Sequence, residues 1–309
     1  MKRLPWLVVT VLMPLAMMAQ ASRAAGPVAG LLADAAAGTL RPVMGLPGSA
    51  YAGRAVAEGL RAMLVSRDGQ SAFVQKGDTL FLVQGLGADQ EAEWRELGSG
   101  AGEISAAWSA DASVLAVWRA DDKKLSFWRN GESAGSADAD VAKVLAVDSG
   151  ARAVVTSRDS VLLLGADGER RVLATDGGAS AAAFAGTDAF ILRGSELWVA
   201  SADAFTLFTG GLEDAVGLAV SPDSKLLIVA RAGEAKRVDL VDRETRTLVR
   251  SVALDFAPLT VAPMSGGIFL LDPGEAGKRP AQVLDTRRDW AVFFIPIPGD
   301  EPAASGTAH

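Results

Sequence analysis

One unit recurs along this chain: an apolar run, a tight turn, and a second apolar run. The first copy is Met63-Leu64-Val65, Ser66-Arg67-Asp68-Gly69 and Ala72-Phe73-Val74. The second is Ala106-Ala107-Trp108, Ser109-Ala110-Asp111-Ala112 and Val114-Leu115-Ala116-Val117. The third runs through Val144–Val147, Asp148–Ala151 and Ala153–Val155, and the shorter fourth through Ala182–Phe184, Ala185–Asp188 and Phe190–Leu192. The fifth joins Leu218-Ala219-Val220 to Leu226–Ala230 through Ser221-Pro222-Asp223-Ser224, and the sixth joins Leu259–Val261 to Ile268–Leu271. The turns begin at residues 66, 109, 148, 185, 221 and 262, so successive copies lie 43, 39, 37, 36 and 41 residues apart.

A period near forty with a tight turn between two apolar strands is the spacing of a four-stranded propeller blade. Two further strands follow the pair, as in Lys236–Val241 and Leu248–Val252, and no stretch reads as a long amphipathic helix. The turn residues have a physical reason: Pro presets φ, Asp bonds its own backbone, and Gly accepts a positive φ. The expected fold is all-β, a β-propeller of four-stranded antiparallel blades.

Ser221-Pro222-Asp223-Ser224-Lys225-Leu226-Leu227-Ile228-Val229-Ala230 resembles the SPDG-x-x-L-x-V-A segment of bacterial exported propellers, the YVTN, WD40-like and TolB-like repeat families. Val241-Asp242 followed by Arg246-Thr247-Leu248 is similar to their D-x-x-T-G hairpin. The resemblance spans roughly residues 61–298 and concerns the fold, because propellers host many unrelated functions. Asp148-Ser149-Gly150 and Ala185-Gly186-Thr187 depart from the pattern in lacking its proline, and the Trp-Asp signature of eukaryotic-type repeats is absent. Residues 22–60 number about one period, and Leu32-Ala33-Asp34 with Gly38-Thr39-Leu40-Arg41 aligns with the hairpin at 241–248. This segment is read as a partial blade, or as outer strands closing the ring against a last strand at Trp290–Ile295. Six or seven blades are therefore open, with seven favoured. Gly299–His309 reads as a disordered tail.

Met1-Lys2-Arg3, the apolar Leu4–Ala19 and the small-residue pattern Ala19-Gln20-Ala21 have the layout of a secretory signal peptide covering residues 1–21. The apolar run is shorter than the roughly 20 residues of a spanning helix. A periplasmic or secreted protein, not inserted in the membrane after cleavage near Ala21, is the expectation. Cleavage removes Lys2 and Arg3 and takes the formal net charge from −7 to −9. Such a balance argues against nucleic-acid binding, which needs an excess of Lys and Arg to neutralise phosphates.

The chain has no cysteine and one histidine, His309. Cys-ligated metal sites, a Cys nucleophile, a Ser-His-Asp triad and a multi-histidine centre are thereby excluded. Chemistry is left to Arg, Lys, Asp, Glu and Trp. Ten residues after each turn begins, at the end of the second strand, stand Lys76, Arg119, Arg158 and Arg231; Arg193 follows after eight in the shortened copy. Asp272 takes the place in the sixth copy, and the acids Asp78, Asp121, Asp159, Glu196 and Glu234 follow the cations closely. In a propeller these strand ends lie around one face. They form either a ring that binds an anionic small molecule or an acidic partner, or a set of cations each paired with its own acid. Trp118, directly before Arg119, is the tryptophan expected to reach that face, while most of the others pack between blades. Gly98–Gly102 lacks the helix and Lys of a phosphate loop, and Asp138-Ala139-Asp140 lacks the surroundings of a calcium loop.

The function expected is an exported, non-enzymatic binding or protein-interaction module with no cofactor. The alternative is a lactonase-like propeller hydrolase or lyase that works through carboxylates and a divalent metal.

Overall fold

The computed structural model describes residues 28–45, 48–86 and 92–299. The signal segment 1–21 and, apart from Gly299, the tail lie outside the described residues.

Seven antiparallel sheets follow one another along the chain. Blade I consists of β1 (Val28–Asp34), β2 (Thr39–Met44) and β3 (Tyr51–Ala52). Blade II is built from β4 (Leu60–Val65), β5 (Ser71–Lys76), β6 (Thr79–Gln84) and β7 (Glu93–Ser99). In blade III the strands are β8 (Ile104–Trp108), β9 (Val114–Arg119), β10 (Lys124–Arg129) and β11 (Glu132–Asp138). Blade IV holds β12 (Lys143–Val147), β13 (Arg152–Thr156), β14 (Val161–Gly165) and β15 (Arg170–Ala174). Blade V follows with β16 (Ala179–Ala185), β17 (Asp188–Arg193), β18 (Glu196–Ala200) and β19 (Phe205–Thr209). Blade VI comprises β20 (Ala215–Val220), β21 (Leu226–Arg231), β22 (Arg237–Asp242) and β23 (Leu248–Ala253). Blade VII closes the series with β24 (Ala262–Pro263), β25 (Ile268–Asp272), β26 (Ala281–Asp285) and β27 (Ala291–Ile295). Among the described residues a single 3-10 turn, Ser265–Gly267, interrupts the strands. The chain is a seven-bladed β-propeller.

Alternation along the strands explains the packing. Successive side chains point to opposite faces of a sheet, and both faces of each blade are covered by its neighbours. Leu31 therefore joins a cluster with Ala72 and Val74 of blade II, while adjacent Leu32 joins Ile268 and Val283 of blade VII. Seven apolar clusters result among the described residues, one at each junction between blades. The high apolar content is spent there, since strands buried on both faces read as continuous hydrophobic runs.

The recurring turn is held by its own side chains. In Ser66-Arg67-Asp68 the Ser66 hydroxyl donates to Asp68 Oδ1 at 2.6 Å and accepts from the Ser71 amide at 3.0 Å. Ser109 with Asp111 and Ser221 with Asp223 repeat the arrangement, each at 2.6 Å. Asp148 replaces the serine in blade IV, accepting from the Arg152 amide at 2.8 Å. Bulges recur as well, near the start of the first strand in blades II, IV, V and VI, and add the twist that a blade requires.

Blade I differs from the rest. Gly30 lies against Met264 and Ser265 in the first turn of blade VII, whereas Gly38 abuts Leu60, where the first strand of blade II begins. β1 thus runs in the direction of the second strands of the other blades. The N-terminal segment supplies the second, third and fourth places of a blade, matching the expected outer strands. The ring closes where blade I meets blade VII. There Ser265 Oγ donates to the Ala29 carbonyl, and the Ala52 amide donates to the Pro296 carbonyl at 2.9 Å.

Candidate functional site

The ends of the second strands share one face, but three of their cations, Arg119, Arg193 and Arg231, are occupied. Arg119 pairs with Asp122 and donates to the Ser99 carbonyl at 3.3 Å. Arg193 pairs with Asp176 and lies over the rings of Trp198 (5.4 Å) and Phe205 (6.0 Å). Arg231 bonds Glu213 at 3.0 Å, the buried Asp239 at 3.2 Å, and the carbonyls of Glu213 and Gly211. These guanidiniums reach back to the segment that enters their own blade, and each fork ties that segment to the blade's second strand. Two of the acids expected to pair with these cations have other partners: Asp78 pairs with Arg61, and Glu196 accepts from the Trp198 indole. Lys76 is exposed and sits 5.7 Å from the Trp94 ring. Arg158 is exposed in the turn beyond β13. Asp272 is buried, accepting from Arg279 at 2.7 Å and from the Gly274 amide at 2.8 Å. Trp118 does not reach this face. It is 5% exposed in the cluster between blades III and IV and donates Nε1–H to the Ala139 carbonyl at 3.0 Å. Its neighbour Arg119 takes the other side of the strand, as period-two geometry demands.

The structure also brings together a site that the repeat pattern did not single out. First strands of blades II to VI, with residues 259–263 of blade VII, enclose a central channel of about 340 Å³. Its wall is mostly small and aliphatic, with Ala107, Ala146, Ala182, Gly217, Val220 and Val261 among the lining residues. Lys143, Val216 and Leu259 stand where the first strands begin, at the mouth on the cation-bearing face. At the opposite end Arg67, from the turn of blade II, donates to the Val220 carbonyl of blade VI at 3.3 Å. The guanidinium therefore spans the channel. It has no carboxylate partner among the described residues, and burial holds its pKa below the ordinary arginine value. Arginine remains protonated all the same.

Beyond Arg67 the channel opens into a bowl of about 650 Å³ lined by Asp68, Asp111, Asp223, Met264, Arg287 and Trp290, among others. A hydrogen bond from the Ser221 hydroxyl holds the Asp223 carboxyl below its usual range. For Asp111, burial pushes the other way and the hydroxyls of Ser109 and Ser113 outweigh it. The bowl is thus ringed by the carboxyls of Asp68, Asp111 and Asp223, each with one oxygen already engaged by its turn. Arg287, the other cation there, is held by buried Asp285 at 3.0 Å. No group of three or more His, Asp or Glu residues suited to holding a metal ion occurs among the described residues.

Arg67 was missed because it occurs in a single copy. The equivalent turn positions hold Ala110, Ser149 and Pro222. A long cation where the repeat otherwise tolerates small residues was the available signal.

Comparison with solved structures places the chain among propellers. It is similar to apo AztD from Citrobacter koseri, with a TM-score of 0.55 and 13% identity, over 87% of this chain and 94% of that one. The WD40 β-propeller domain of Doa1 gives 0.55 and 13%, over 80% and 89%. The β-propeller domain of Cps50 (Swd1) from Myceliophteria thermophila gives 0.58 and 13%, over 79% and 88%. At this identity the likeness is one of fold. No family model and no curated protein matches the chain.

Proposed function

We propose that this protein is an exported, non-enzymatic binding module that holds a small organic anion in its central channel. The anionic group would sit on the Arg67 guanidinium, and the apolar part would lie along the alanine- and valine-rich first strands. The observation that carries this reading is Arg67 itself. A guanidinium offers five N–H donors, and here one hydrogen bond, to Val220, is made across an apolar channel. A half-buried fork of this kind recognises a carboxylate or phosphate through two parallel bonds. Access is from the side of Lys143, because the acid-ringed bowl repels an anion at the other end. Export rests on the basic, apolar and small-residue layout of residues 1–21.

Calorimetric titration of the mature chain with short- and medium-chain carboxylates and organic phosphates tests the reading. Binding that weakens at least tenfold, about 1.4 kcal/mol, in an Arg67→Gln variant that keeps the parent's circular dichroism spectrum is expected. Equal binding by both proteins, or none with any anion, would reject it. Amino-terminal sequencing of the protein recovered from cells is expected to begin near Ser22.

A further inference from the structure

Among the described residues that line the central channel, two carry an ionisable side chain, Arg67 and Lys143, and both are cations. They stand at opposite ends, Arg67 at the level of the Val220 carbonyl and exposed Lys143 where β12 begins. Neither has a carboxylate partner among the described residues. Elsewhere cations of this chain find acids: Arg61 with Asp78, Arg152 with Asp148 and Arg250 with Asp289. Two unpaired cations facing one acid-free channel stand out in a protein of formal net charge −7. We infer that the channel takes a two-headed anion, a straight-chain dicarboxylate, with one head on Arg67 and the other on Lys143. The inference rests on the channel reading proposed above and adds to it the second head and the length.

The length follows from the strands. Lys143 and Val216 each stand five residues before the turn of their blades begins, so they share a level along the axis. From Val216 to Val220 a strand rises about 13 Å, at about 3.3 Å per residue. Each hydrogen bond from cation to carboxylate takes up about 3 Å of that distance. Because the lysine stem is flexible, a chain of about six to ten carbons fits the remainder. Between the two ends the wall suits methylene groups, with Ala107, Leu145, Ala146 and Ala182 along it. The two cations also have different tasks. The guanidinium fork fixes the inner carboxylate through paired bonds, whereas the ammonium is a point charge at the open mouth. Once the inner head is bound, the outer contact forms within the complex, so it appears as preference for a dianion over a monoanion of equal length. Lys143 is thus a specificity-determining residue.

Calorimetric titration of the mature full chain with octanedioate and with octanoate tests this. Octanedioate is expected to bind at least about fivefold more tightly. Lys143→Gln is expected to bring the two ligands to within about twofold by weakening octanedioate. Lys236→Gln removes an exposed cation from the turn between β21 and β22, outside the channel, and is expected to keep the parent's preference. Each variant is compared with the parent by circular dichroism. No preference for octanedioate in the parent, or a preference that survives Lys143→Gln, would overturn the inference. So would equal loss in Lys236→Gln, which traces the preference to the general field of that face. Octanoate binding that depends on Arg67, with no advantage for octanedioate, rejects the second head and leaves the single-headed reading standing. Binding of neither ligand rejects both.

Discussion

In blades II, III, IV and VI the recurring turn places its fourth residue in the left-handed region whatever that residue is. Gly69 meets the demand at a φ of 69°, but Ala112, Ala151 and Ser224 hold 60°, 63° and 59°. A side chain with a Cβ gives up roughly 1–2 kcal/mol in that conformation. Ala112→Gly is therefore expected to raise stability by about 1 kcal/mol in urea unfolding. Ala151→Gly is expected to gain little, because its methyl is 3% exposed inside the cluster of blades III and IV, and losing a buried methyl costs roughly 0.8 kcal/mol. The two variants share one backbone geometry and differ in burial, so equal effects would show that packing at this turn is unimportant. Sequence made the turn legible because Ser, Pro, Asp and Gly act locally. It did not make Arg67 legible, since the meaning of that residue depends on Val220, 153 positions away.

Each arginine clip ties the second strand of its blade to the segment that enters the blade, and its importance depends on the burial of its acid. Arg231 reaches Asp239, which is 1% exposed and also held by Arg237 and Ser251. Removing Arg231 takes one charged donor from that carboxyl and leaves Arg237 and Ser251 in place. Arg231→Ala is accordingly expected to cost about 2 kcal/mol, as for the loss of a hydrogen bond to a charged group, while Arg158→Ala, at an exposed turn, is expected to stay within about 0.5 kcal/mol. Thermal unfolding of the two variants side by side measures the contrast. Spacing alone placed both residues at one register and gave no means to separate them. The clips of Arg119, Arg193 and Arg231 reach acids and carbonyls 17 to 20 residues earlier as well as nearby ones. A search for the nearest following acid overlooks those earlier partners. Trp118 eluded the reading for a related reason: adjacency to a rim arginine suggests the rim, but adjacency on a strand means the opposite side.

At the scale of the ring, six of seven blades were legible because six carry the repeated turn. Blade I enters at its second strand and has no such turn among the described residues, so its length and its hairpin were the signals left. The junction of blades I and VII is also joined differently from the other six, through packing and a few bonds without a covalent link from one blade to the next. Native-state hydrogen exchange is expected to show amides of β1 and β27 opening at lower free energy than those of β13 and β17. Uniform protection around the ring would contradict this. Arg67 adds something the junctions do not. Each blade leans on two neighbours, yet this one side chain joins blades II and VI, which share no interface, and so braces the ring like a spoke. An anion that drew the guanidinium away from Val220 would unbrace it. Occupancy of the channel would then reach blade VI straight across the hub, without passing through blades III to V.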